Sequence, residues 1–213
     1  MNPRLRRLQA DYNHVREVYS GHPRVEVEPV SDRLPPEIYR VSYRLNGLVL
    51  VGERPENLDY ESVEVTESTE HIVEIMLPRL YPAEKPYVVP KTPIFHPNVQ
   101  DYYCLVDDEY WAPSTRLVDL IAKIGNMIQY RTYNLSSPLD GLAAHWTRDE
   151  EERGRFPVGD VDLGVADLDI EIATASRPAS GPERGNGPGG SDLPASGEAA
   201  EGEEDIVVRV RDE

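Results

Sequence analysis

The amino-acid sequence predicts an α+β domain followed by a low-complexity tail, and three patterns carry that reading. Apolar residues near the amino terminus recur at helical spacing, those between Val25 and Leu77 alternate with period two, and helical spacing returns after Ser114. Helices set before and after a run of strands, rather than between them, imply an antiparallel sheet with segregated helices.

Each element follows in order. Asn2-Pro3 is a helix start, an amide side chain at the cap and proline at the first helical position, where its missing N–H costs nothing. Leu5, Leu8, Tyr12, Val15 and Tyr19 form the stripe to be buried, and Gly21 with Pro23 ends the helix. The opposite face carries Arg4, Arg6 and Arg7, either a solvated face or a docking patch for an acidic partner. Strands are expected at Val25 and Val27 and from Tyr39 to Leu45, with a turn at Asn46-Gly47 and a return through Leu48 to Val51. Glu53 to Glu70 reads mostly as loop, with Val63 and Val65 as a short strand, and His71 to Leu77 as the next strand. Ser114 is placed to cap a helix with the stripe Leu117, Leu120, Ile121, Ile124 and Ile128, and Leu139 to Arg155 suggests a further amphipathic helix. Beyond Phe156 there is no aromatic residue, and 173–205 is dominated by Ala, Ser, Gly, Pro and Glu. Such a segment buries too little apolar surface to offset chain entropy, so a domain at 1–156 and a largely disordered acidic tail at 157–213 are expected. Two apolar islands in that tail, Val161 to Ile172 and Ile206 to Val210, are either plain solubilising chain or strands that add to a partner's sheet.

A net charge of -17 disfavours nucleic acid and anionic membrane surfaces, both of which are met with Lys and Arg. No apolar run approaches the ~20 residues of a membrane span. With a single cysteine and no apolar leader, a reducing, cytoplasmic setting is expected, with Cys104 as a thiol. Only Lys85, Lys91 and Lys123 are lysines among the 22 basic residues. That bias reflects either genome composition or an enzyme of lysine-directed acyl transfer that avoids modifying itself.

The chemistry concentrates between Leu77 and Pro138. Prolines at 78, 82, 86, 90, 93 and 97 forbid helix on the approach to Cys104. His96-Pro97-Asn98 precedes the cysteine, Trp111 and Pro113 follow it, and Asn134-Leu135-Ser136-Ser137-Pro138 forms a later loop. A lone cysteine is commonly a small buried hydrophobe, but this setting suits a nucleophilic thiolate whose thioester stays activated toward amines. The acidic run Asp107 to Glu109 bears on it in two ways, opposing ionisation of a nearby thiol and attracting a basic substrate.

In that ordered combination, Tyr81-Pro82, His96-Pro97-Asn98, Cys104-Leu105, Trp111-x-Pro113 and Ser137-Pro138-Leu139, the chain resembles the ubiquitin-conjugating (E2) family over about its first three quarters. The resemblance implies the UBC-like fold: an N-terminal helix, a four-stranded antiparallel meander, an active-site cysteine loop and C-terminal helices. It implies that Cys104 receives a ubiquitin or ubiquitin-like protein as a thioester from an E1-like activating enzyme and passes it to a lysine of a protein substrate, with or without a ligase. ATP would be used by the E1, and this chain would need no cofactor and no metal. Asn98 would stabilise the oxyanion, Ser137 would act at the gate, Tyr133 and Asn134 would line the lysine entrance, and Arg4, Arg6 and Arg7 would meet the E1. His96, Pro97, Trp111 and Pro138 would hold the active-site loop.

The chain also departs from the family pattern. The interval from Asn98 to Cys104 is short, Tyr102-Tyr103 replaces small or aliphatic residues, and Ala83 stands where an aromatic residue commonly meets a ligase. With the arginine excess, these departures point to a divergent prokaryotic member, a group that includes antiviral defence systems. Two other readings stay open: an E2-fold module that binds a ubiquitin-like protein without forming a thioester, and a thiol hydrolase using Cys104 with His96 as base.

Overall fold

The computed structural model describes residues 2–55, 63–105 and 111–163, all within one compact unit, Met1–Ile170. Its elements run α1 (Pro3–Tyr19), β1 (Val25–Pro29), β2 (Ile38–Leu50), β3 (Val65–Met76), β4 (Tyr87–Pro90), α2 (Leu117–Ile128) and α3 (Gly141–Glu152). The strands form one antiparallel sheet in the order β1-β2-β3-β4, the α+β meander that the sequence predicts.

Helix α1 starts where its cap requires, Asn2 accepting the Arg4 N–H at 3.0 Å. Its buried line is Leu8, Asp11, Val15 and Tyr19, whereas Leu5 is 42% exposed. The expected stripe is thus rotated at its first turn. The reason is a carboxylate: Asp11 faces inward, where Arg7 Nε donates to it at 2.7 Å and the Tyr81 hydroxyl at 2.7 Å. The Leu117 N–H at the start of α2 also points to Asp11, at 3.5 Å, an anion at the positive end of a helix.

Two strand expectations are corrected. Asn46-Gly47 makes no hairpin; β2 continues through it, and only a register shift between Arg44 and Gly47 marks the place. Leu48, Val49 and Leu50 go on to pair with Glu67, Thr66 and Val65, so ladder bonds and the burial of Leu48 outweigh the local turn preference. For the same reason residues 66–70, expected as loop, follow Val65 in the first half of β3.

Helix α2 buries all five residues of its expected stripe, Leu117, Leu120, Ile121, Ile124 and Ile128, against the sheet. It starts after Arg116 rather than at Ser114, because Asp119 closes the first turn by accepting both the Arg116 N–H at 3.3 Å and its guanidinium at 2.7 and 2.8 Å. A second, smaller core gathers Leu48, Phe95, Tyr130, Leu142, Ala143 and Trp146 under α3, with Phe156 stacked on Tyr130 at 4.6 Å.

Past Phe156 the chain lies along α2. Gln129 donates to the Val161 carbonyl at 3.0 Å and accepts from its N–H at 2.8 Å, and Leu163 is buried against Gly125. The rest of the two apolar islands and the acidic run Asp107 to Glu109 lie outside the described residues. Among the described residues no helix is long and apolar enough to cross a membrane.

Candidate active site

The site is built from two loops that meet between the larger core and the smaller one. The first runs from Phe95 to Leu105 and begins where the Phe95 N–H binds the Leu48 carbonyl at 2.7 Å. Pro97 removes a donor and fixes its own φ, so the chain turns there, and bridges between His96 and Val99 and between Val99 and Tyr103 fold the segment back on itself. The Cys104 N–H then closes the loop on the Asn98 carbonyl at 2.9 Å. Tyr103 packs into the core while Tyr102 points outward. The short interval between Asn98 and Cys104 is thereby a closed turn, with the half-buried Cys104 at its end.

The second loop, 131–140, is fastened to the first at two places. Asn98 is 1% exposed, and its carboxamide spans the Asn134 backbone, Nδ2 donating to the carbonyl at 2.9 Å and Oδ1 accepting the N–H at 2.7 Å. The Pro97 carbonyl accepts two donors, the N–H groups of Leu139 at 2.8 Å and Asp140 at 2.9 Å. Between these fastenings the Asn134 side chain accepts the N–H groups of Ser136 at 2.7 Å and Ser137 at 3.3 Å, a turn that asparagine forms readily. Ser137 and Pro138 are exposed at its tip.

His96 is fully enclosed. Its Nδ1 accepts the Asn98 N–H at 3.0 Å and its ring packs on Tyr130 at 4.7 Å. Among the described residues Nε2 has no partner within 3.5 Å in hydrogen-bonding geometry. Desolvation pushes the ring's pKa down to about 3, and weaker pulls from the Thr132 backbone and Asp140 act the other way. The imidazole is therefore neutral, and its acceptor nitrogen is engaged in shaping the loop.

The remaining sequence-predicted residues divide. Trp111 donates from Nε1 to the Pro82 carbonyl at 2.6 Å and lies beside Tyr81, tying the segment after the cysteine to the Tyr81-Pro82 turn. The Tyr133 hydroxyl donates to Glu151 at 2.7 Å, and its ring lies against Phe156 and Tyr130, so it packs with α3. Arg4 and Arg7 are cross-links rather than an open patch. Arg4 donates to Glu37 at 3.1 Å and the Pro78 carbonyl at 3.0 Å. Arg7 binds Asp11, the Tyr81 hydroxyl and the carbonyls of Pro113 and Thr115. Arg6 alone of the three is exposed. Among the described residues no group of three His, Cys, Asp or Glu side chains is arranged to hold a metal.

Sequence reasoning missed Asp140 and Arg54. Asp140 caps α3 through the Ala143 N–H at 3.0 Å and takes the Arg54 guanidinium in a two-pronged pair. An aspartate before a helix is a readable cap. Nothing in the pattern announced a partner 86 residues upstream.

The chain thus forms an α+β meander carrying one cysteine at the end of a closed His-Pro-Asn loop. Residues 66–156 match the family model described as ubiquitin-conjugating enzyme, the family that the sequence resembles. The match runs from the start of β3 to Phe156 and includes both loops of the site. A comparison with curated proteins finds no match.

Proposed function

We propose that this chain is an E2-type carrier: Cys104 takes a ubiquitin or ubiquitin-like protein from an E1-like enzyme and gives it to an amine, chiefly a lysine. One observation carries the reading. The sole cysteine ends a turn whose other end, Asn98, is buried and fastened to the loop bearing Ser137, so thiol, carboxamide and gate belong to one framework.

In the first step the Cys104 thiolate attacks the carbonyl of the E1-bound thioester, a new C–S bond forms, and the E1 thiolate leaves. In the second, an amine attacks the same carbonyl, the C–N bond forms, the C–S bond breaks, the amine proton passes to water, and Cys104 returns as thiolate. Negative charge gathers on the carbonyl oxygen in both steps, and a fixed amide donor lowers that barrier. Asn98 Nδ2 has two hydrogens; the Asn134 carbonyl takes one, and we assign the second to the oxyanion. Asn134 and Ser137 flank the amine's approach. ATP is consumed by the E1, and of Arg4, Arg6 and Arg7 it is Arg6 that is exposed to meet it.

Two other readings are weaker. A hydrolase with His96 as general base conflicts with a buried ring whose Nδ1 already accepts the Asn98 N–H. A binding module that forms no thioester draws support from the engagement of both polar atoms of the Asn98 side chain with Asn134, which makes a purely structural asparagine sufficient. The test is charging: the protein with ubiquitin or a candidate ubiquitin-like protein, an E1 that activates it and ATP, resolved with and without reductant. A reductant-sensitive adduct on wild type, replaced in Cys104→Ser by a reductant-resistant ester or by nothing, supports the carrier. No adduct in the presence of an active E1 moves the conclusion to the binding module.

A further inference from the structure

We infer that Arg54 is a positioning residue of the transfer site, acting through Asp140 on the His96-Pro97-Asn98 loop. As a role in transfer this rests on the carrier reading; as a role in holding the loop it does not. Three observations converge. Asp140 presents a side chain only 4% exposed, and a carboxylate so deeply withdrawn from water is costly without a partner. Arg54 supplies that partner from the segment after β2: Nη1 meets Oδ2 at 2.8 Å and Nη2 meets Oδ1, the forked geometry that guanidinium alone offers. The main chain of that same aspartate then holds the site, its N–H and that of Leu139 both donating to the Pro97 carbonyl while its side chain caps α3.

Asp140 is thus where charge, helix cap and loop fastening meet. Without Arg54 the carboxylate loses its charge partner and swings toward water. Swinging withdraws the cap from Ala143 and pulls the Asp140 N–H off Pro97. The disturbance passes to the next residue, Asn98, whose carbonyl holds the Cys104 N–H. Arg54 itself is 45% exposed and lines an open cavity of about 620 Å³ together with Gln100 and Asp101. The pair therefore stands beside the segment leading to the cysteine, not in the body of the core.

The test is site-resolved amide hydrogen exchange on the full-length chain, comparing wild type, Arg54→Met, Arg54→Lys and the double variant Arg54→Met/Asp140→Asn. The amides of Leu139, Asp140 and Cys104 report the site, and those of Val41 and Ile75 report the sheet. Arg54→Met is expected to speed exchange at the site amides about tenfold beyond any change in the sheet, the loss of a partly screened buried pair. Arg54→Lys, which keeps charge but not the fork, falls between. The double variant, in which asparagine still caps α3 and leaves no charge stranded, returns the site amides to within about threefold of wild type. Equal changes at site and sheet, no change at the site, or a double variant no better than Arg54→Met overturns the inference. On charged protein, discharge to free lysine should slow in the same rank order, and a rank order that ignores the exchange data removes the role in transfer. Should wild type fail to charge, the carrier reading alone falls, because the exchange result is read without a modifier.

Discussion

Replacing Asn98 with alanine separates two duties of one side chain. The structural duty has a size. Two hydrogen bonds to the Asn134 backbone, at 2.9 and 2.7 Å, are lost, each contributing about 1 kcal/mol net. Because Asn134 is only partly buried, water meets some of the groups left behind, which holds the total to about 2 kcal/mol. For a domain of this size that lowers Tm by roughly 4–8 °C. The proposed catalytic duty has a different size, since removing a fixed oxyanion donor slows acyl transfer by about 10²–10³-fold. Thermal unfolding of Asn98→Ala, followed by single-turnover discharge of the charged variant to free lysine well below its Tm, reads both. Asn98→Asp should be less stable than the alanine variant, because its carboxylate faces the Asn134 carbonyl that Nδ2 had served. A Tm within about 1 °C of wild type would refute the clamp. A Tm lowered as expected, with discharge from folded protein at the wild-type rate, would refute the oxyanion role and leave the clamp standing.

Three further expectations follow from the same geometry. His96 has a folded-state pKa of about 3 against ~6.5 when unfolded, so between these values the unfolded chain binds the extra proton. Stability is then full above about pH 6.5 and declines as pH falls toward 3, by up to ~1.4 kcal/mol per pH unit. His71, also shifted down by burial, adds in the same direction, and urea titrations from pH 7 to pH 5 should show a shallower slope for His96→Asn than for wild type. A Cβ added at Gly47 lies 2.6 Å from His71 Nε2 and 2.9 Å from Ile128 Cγ2, so Gly47→Ala should cost about 1–3 kcal/mol, with much of it cancelled in a double-mutant cycle with His71→Ala. Arg7→Met, which strips the main partner from the buried Asp11, should destabilise by about 2–4 kcal/mol and Arg7→Lys should recover little of it; Arg6→Glu should leave Tm unchanged and slow charging by the E1.

Much of this fold was legible in the chain because burial repeats. The stripes of α2 and of β2 up to Leu45 are periodic, and period alone assigns them. Leu5 misled for an equally physical reason: its spacing fits the stripe, but Asp11, a residue type expected outside, turns inward to meet Arg7 and Tyr81 and rotates the helix's first turn. Asn46-Gly47 misled because a dipeptide preference of local origin met a ladder already extending from Leu48 to Leu50 along β3. At the site, Cys104, Asn98, His96 and the Ser137 loop were visible as an ordered motif. Their couplings were not, since Asn98 to Asn134, Pro97 to Leu139 and Arg54 to Asp140 are contacts across long sequence separations, and two of the three involve a backbone group that any residue supplies.

That last property has a consequence for Asn134. The clamp grips its peptide groups and ignores its side chain, so the position is held in space without being held in identity. Its own carboxamide is released to organise Ser136 and Ser137. Residue 134 is accordingly a place where, in the proposed carrier, one loop tip could be exchanged for another to alter which amines are admitted, while the thiol and its carboxamide neighbour stay where they are.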